Sequence, residues 1–124
     1  MDTVDVDEAF DAFEERWAPR LLTSLNGQEL KAAKLEGAFV WHSHPEADEL
    51  FWVIEGDLTL ELRGEPDEQL SDGELGVVPA GVEHRPVADG TAKVVLFEPA
   101  GTENTGDADA EDRKRAVQTL DDED

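Results

Sequence analysis

The chain has three histidines, and two of them stand as His42-Ser43-His44, five residues before Glu49. On a β-strand, residues i and i+2 project from the same face. A strand from Ala38 to His44 is therefore expected to carry Ala38, Val40, His42 and His44 on one face, with Phe39 and Trp41 on the other. Pro45 to Asp48 read as a turn that returns Glu49 beside the imidazoles. Two imidazoles and a carboxylate converging from a hairpin make most of a metal site. The third histidine, His84, follows the turn signal Pro79-Ala80-Gly81. In a small antiparallel barrel it can line the same interior. Three nitrogens and one carboxylate around a divalent cation leave one net positive charge. In octahedral geometry two positions stay open for water, substrate or oxygen.

The neighbouring polar residues do not compete for the site. Glu46 lies in the turn and Asp48 has the opposite parity to Glu49, so both are assigned to solvent. Glu55 is expected to be exposed at a hairpin end, while the face of Glu98 stays open. Arg85 should face away from His84 into a surface ion pair. Trp41 and Trp52 are placed outward, between sheet and helix or at a dimer interface. The other inward positions are apolar: Val40, Phe51, Val53, Leu58, Leu60 and Leu62. Of the cations, Arg63, Arg85 and Lys93 are counted within the barrel strands. With no nucleophilic serine or glycine-rich phosphate loop in view, no catalytic residue is assigned beyond the metal set.

The elements that must position these groups follow from pattern. Phe10, Phe13 and Trp17, with Ala9, form one helical stripe over Asp5 to Trp17, ended by Pro19. Asn26-Gly27 is a turn signal. Strands are expected at Glu29 to Glu36, Ala38 to His44, Glu49 to Glu55, Leu58 to Arg63, Glu68 to Leu70, Glu74 to Val78, His84 to Val87 and Ala92 to Glu98. Gly56-Asp57 and Asp89-Gly90 read as hairpin connections. About eight short strands at regular spacing argue an all-β barrel or sandwich. The expected organisation is an N-terminal helical segment over 1–25, a barrel over 26–102 and an acidic tail over 103–124. The tail is expected to be disordered apart from a brief helix over Arg113 to Leu120.

Composition bounds the function. Cysteine is absent, which excludes disulfides and thiolate ligands. The net charge is −22, from 32 acidic and 10 basic residues. From Glu103 onward the net is −6, leaving −16 to the rest. Such a surface disfavours nucleic acid and anionic membranes as partners. Its self-repulsion is relieved by salt, so a halophilic, salt-adapted protein is expected. An acidic N-terminus and the lack of a long apolar run point to a soluble, cytoplasmic protein.

The two histidine motifs resemble those of the cupin family. The first family motif runs Gly, about five residues, His-X-His, three or four residues, Glu, six residues, Gly. Here it is Gly37, four residues, His42-Ser43-His44, four residues, Glu49, six residues, Gly56. The second runs Gly, five residues, Pro-X-Gly, two residues, His, three residues, Asn. Here it is Gly73, Pro79-Ala80-Gly81, His84 and then Ala88 in place of the Asn, which is not a ligand in the family. The resemblance implies a cupin-type jelly-roll β-barrel after one N-terminal α-helix, often a homodimer. It implies one divalent transition metal (Fe, Mn, Ni, Zn, Co or Cu) on His42, His44, Glu49 and His84. The expected function is binding of a small organic molecule in the barrel, with metal-dependent oxygenase chemistry as its enzymatic form. Two alternatives stand beside it. One is a sugar-phosphate isomerase or epimerase of phosphomannose-isomerase type. The other is a non-enzymatic ligand-binding or storage-like protein with a structural metal.

Overall fold

The computed structural model describes residues 1–108, 113 and 118–120. Among the described residues one short helix, α1 (Val6–Asp11), precedes six strands: β1 (Arg20–Leu25), β2 (Gln28–Ala38), β3 (Glu49–Leu62), β4 (Glu65–Leu70), β5 (Leu75–Val78) and β6 (His84–Pro99). All strand pairs are antiparallel, in the order β1-β2-β6-β3-β4, with β5 also on β3. The fold is all-β, of jelly-roll type. No helix among the described residues is long and apolar enough to cross a membrane.

The helix is shorter than its stripe suggests. Asp5 caps it, its side chain accepting the Glu8 N–H at 3.0 Å, and it ends at Asp11 with Ala12 as C-cap. Beyond that point tertiary contacts outweigh helical spacing, since a short helix has little stability of its own. Trp17 adopts φ 59°, donates its N–H to the Lys34 carbonyl at 2.9 Å and stacks on Phe39 at 4.6 Å. β1 then begins at Arg20, just past the Pro19 expected to end the helix, within the N-terminal segment over 1–25. Phe10 and Phe13 pack with Ala32 and Val95 on the outer face of the sheet. Burying each of those phenyl rings is worth about 1.5–3 kcal/mol.

Two expected hairpins are bulges instead. β3 runs unbroken from Glu49 to Leu62, and Gly56-Asp57 lies at its register shifts. An extra residue in a strand switches the faces of all that follow. Accordingly Glu49, Phe51 and Val53 are buried before the bulge, and Leu58 and Leu60 after it. β6 likewise passes through Asp89-Gly90 without turning back. Glycine at positive φ suits a hairpin and a bulge equally, so the dipeptide does not distinguish them.

Residues 103–108, expected to be part of a disordered tail, fold back onto the barrel. Asp107 holds Ser43, and Thr105 is fully buried. The rest of that expectation, with most of the helix over Arg113 to Leu120, falls on 109–112, 114–117 and 121–124, outside the described residues.

Candidate metal centre

His42, His44, Glu49 and His84 come together as four buried residues whose ligand atoms all lie within 4.8 Å of one another. Donors about 2.1 Å from one ion are at most about 4.2 Å apart. Side-chain adjustments of a few tenths of an ångström would close the set. The cluster could hold a metal ion.

Main-chain bonds build it. His42 N–H donates to the His84 carbonyl at 3.0 Å, and His84 N–H donates back to the His42 carbonyl at 2.8 Å. The imidazole centroids of this pair are 4.4 Å apart. Each of the two rings is also oriented from behind. His42 Nδ1 lies 2.9 Å from the Val40 carbonyl, and His84 Nδ1 lies 2.9 Å from the Val82 carbonyl. A carbonyl can only accept, so Nδ1 carries the proton in both and Nε2 keeps its lone pair for a metal. Glu49 Oε1 lies 3.3 Å from His44 Nε2 and 3.4 Å from His84 Nε2. All three atoms are buried and, among the described residues, have no hydrogen-bond partner. Burial of such atoms is costly unless something satisfies them, and a cation does.

Electrostatics fit the same purpose. Burial, then the neighbouring His84, lowers the His42 pKa to about 4, so this ring is neutral at physiological pH. Burial acts to raise the Glu49 pKa. The adjacent imidazoles of His44 and His84, at 3.3 and 3.4 Å, prevail and hold the carboxyl below its ordinary range.

The route to this arrangement differs from simple alternation. Regular β2 stops at Ala38, which is exposed, and 39–41 are irregular. Phe39 keeps the inward parity of β2, is buried, and meets His42 edge-on at 5.6 Å. It was expected on the opposite face. Trp41 lies beneath the guanidinium groups of Arg63 at 4.2 Å and Arg85 at 5.4 Å. The expected ion pair of Arg85 is made with Glu61 at 2.6 Å. Glu46, Asp48 and Glu55 are exposed, and Asp48 accepts the Ala80 N–H at 2.8 Å. Trp52 faces outward, 38% exposed.

A small cavity, about 40 Å³, reaches the cluster at His42 and Glu49. Its walls are mostly apolar, with Trp17, Phe39, Phe51 and Leu96 among them. One residue there, Lys31, escapes sequence reasoning, which leaves the face of another, Glu98, open. Lys31 and Glu98, 1% and 2% exposed, form a buried ion pair at 3.0 Å. Lys31 shares the parity of inward Ala33, and Glu98 that of inward Leu96, so alternation alone could have placed them. Arg20 in β1 and Lys31 and Lys34 in β2 belong in the count of barrel-strand cations, whereas Arg63 falls one residue past β3. Burial, then the charge of Glu49, pushes Glu98 up to about 9, against the pull of Lys31.

Residues 30–98 match the Cupin domain family. The uncharacterised protein YdbB of Bacillus subtilis (strain 168) is 31% identical over 71 residues, which is 57% of this chain. The matched region is 63% of the length of that curated relative. The crystal structure of a cupin-2 domain protein from Shewanella frigidimarina is similar at TM-score 0.76 and 38% identity, covering 78% of this chain and 94% of that one. Hydroquinone 1,2-dioxygenase from Sphingomonas sp. TTNP3, with 4-hydroxybenzoate bound, shares the fold at TM-score 0.67 and 14% identity, covering 82% and 81%.

Proposed function

Because this chain belongs to the cupin family, we propose that it holds one divalent transition metal on His42, His44, Glu49 and His84 and binds a small organic molecule beside it. One observation carries the reading: three buried ligand atoms, on His44, Glu49 and His84, face one another with no hydrogen-bond partner among the described residues. A metal bound there supplies Lewis acidity, and iron or manganese would add oxygen chemistry. The protein groups do the rest. Val40 and Val82 fix the ring tautomers, and the apolar cavity wall excludes water from a ligand at the His42–Glu49 face. The enzymatic form of this reading is a metal-dependent oxygenase acting on a small, flat substrate such as a phenol, the kind of ligand held by the dioxygenase that shares this fold.

The isomerase alternative is less well supported, because a phosphate needs an available cation. Among the described residues lining the cavity, the cation is Lys31, and it is already engaged by Glu98 at 3.0 Å with Glu29 at 3.6 Å. A purely structural metal fits poorly with a cavity that opens onto two of its ligands.

Elemental analysis of untagged protein tests the metal, and oxygen uptake by the iron-loaded form with hydroquinone, catechol and a diketone tests the chemistry. No bindable divalent metal, with His84→Ala unchanged in stability, would sink the whole reading. Metal without oxygen uptake would remove the oxygenase and leave the binding protein.

The proposed homodimer has a candidate surface. Trp52 pairs with Leu75 and Leu50 with Val77 across β3 and β5. Leu75 and Val77 are 55% and 54% exposed. Sedimentation of the wild type as a monomer would remove the dimer.

A further inference from the structure

The cavity has a second polar locus that the metal reading does not use. Leu50 pairs with Phe97 across β3 and β6, so continuing the ladder by one residue sets Glu98 opposite Glu49. On the other side of β6, Glu98 pairs with Glu29, and Lys31 pairs with Leu96. Lys31 Nζ therefore reaches Glu98 Oε1 at 3.0 Å, with Glu29 Oε1 farther off at 3.6 Å. Glu98 Oε2 is buried and, among the described residues, has no hydrogen-bond partner. Both side chains line the cavity among apolar neighbours.

An ammonium beside a carboxyl group presents a donor next to an acceptor. A hydroxyl satisfies both at once, donating through its proton and accepting through its lone pairs. A methyl group in that place leaves the polar pair stranded under apolar cover, which is costly. A positive or purely donating group would be opposed by Lys31.

We propose that Lys31 and Glu98 form a second anchor for the ligand, taking a hydroxyl on a small flat molecule whose other oxygen lies at the His42–Glu49 face. This specificity assignment rests on the metal-site reading above. Because Glu98 stands across the ladder from the ligand Glu49, the two oxygens of the molecule are only a few bonds apart.

The test uses full-length protein loaded with Zn(II) and two isosteric pairs of probes: 2-hydroxybenzoate against 2-methylbenzoate, and 3-hydroxybenzoate against 3-methylbenzoate. Calorimetry should show at least one hydroxyl isomer binding tenfold or more tightly than its methyl partner. The double variant Lys31→Met/Glu98→Leu, which removes the ion pair as a unit, should reduce that ratio to below about twofold. If the double variant does not fold, Glu98→Gln should shrink the ratio several-fold. No preference in either pair, or a preference that survives these substitutions, overturns the proposal. Elemental analysis of the same samples separates the two readings. If no metal is bound, the metal assignment fails, and the hydroxyl preference of the metal-free protein still upholds or overturns the anchor.

Discussion

Asp107 grips Ser43, the residue between two of the histidines. Its carboxylate accepts the Ser43 backbone N–H at 2.7 Å and the Ser43 hydroxyl at 2.9 Å. The Asp107 N–H in turn donates to the Ser43 carbonyl at 3.0 Å. The segment after the barrel can come this close because residue 106 is glycine. A Cβ there would fall 2.2 Å from the Ser43 oxygen. Partners behind metal ligands commonly change affinity by roughly 10–100-fold when lost. Asp107→Ala is expected to weaken metal binding by about tenfold, read by chelator competition. Unchanged affinity would show that the clasp is irrelevant to the centre.

The same clasp has a pH signature. Hydrogen bonds from the Ser43 backbone and then its hydroxyl hold the Asp107 carboxyl below its ordinary value of 3.8. A depressed carboxylate stabilises the folded form above its ordinary pKa and loses that contribution as pH falls through the folded value. Amide exchange at Ser43, corrected for intrinsic rates, should therefore remain slow down to about pH 4 and accelerate below it. Asp107→Asn should remove the acid dependence.

Metal should stabilise the fold by mass action. At a free concentration 100 times Kd the gain is about 2.7 kcal/mol. Addition of Zn(II) to chelator-stripped protein should raise Tm by several degrees. His84→Ala and Glu49→Gln should each abolish most of that rise. An equal rise in both variants would place the metal elsewhere.

Gly56 tests the bulge in β3. Its φ is 116°, and a Cβ would meet the Ala92 Cα at 2.9 Å. Gly56→Ala should cost about 2–4 kcal/mol in urea unfolding, from strain plus overpacking. Gly64, at φ 78° with open space around it, should cost about 1 kcal/mol on the same change. Equal costs would argue that backbone conformation alone matters at both sites.

The four candidate ligands were legible because histidine is scarce in this chain and glycine and proline frame both motifs. What surrounds them was not. Trp17 continues the spacing of Phe10 and Phe13, yet its position is set by Phe39 and Lys34, which lie far away in sequence. Phe39 defeats the alternation rule because the chain leaves regular strand geometry between Ala38 and His42. Lys31 and Glu98 share the inward parity of Ala33 and Leu96, yet their charge argues for the surface until the β2–β6 register brings them within 3.0 Å.

The charge of −22 makes a separate prediction. Salt shortens the reach of repulsion among the acidic groups, to about 3 Å at 1 M. For a salt-adapted protein, Tm should climb steadily from low to multimolar KCl. A flat or falling curve would mark the acidity as incidental.

The reciprocal bonds between His42 and His84 bear on how the centre fills. They join two candidate ligands from distant parts of the chain through main-chain atoms, so the spacing of those ligands is a property of the folded barrel. A site prepared in this way spends little ordering entropy when an ion arrives. Exchange of one ion for another should then be governed by access through the cavity mouth, and should proceed without unfolding of the barrel. Discrimination among metals would come from how far a rigid frame tolerates each ionic radius.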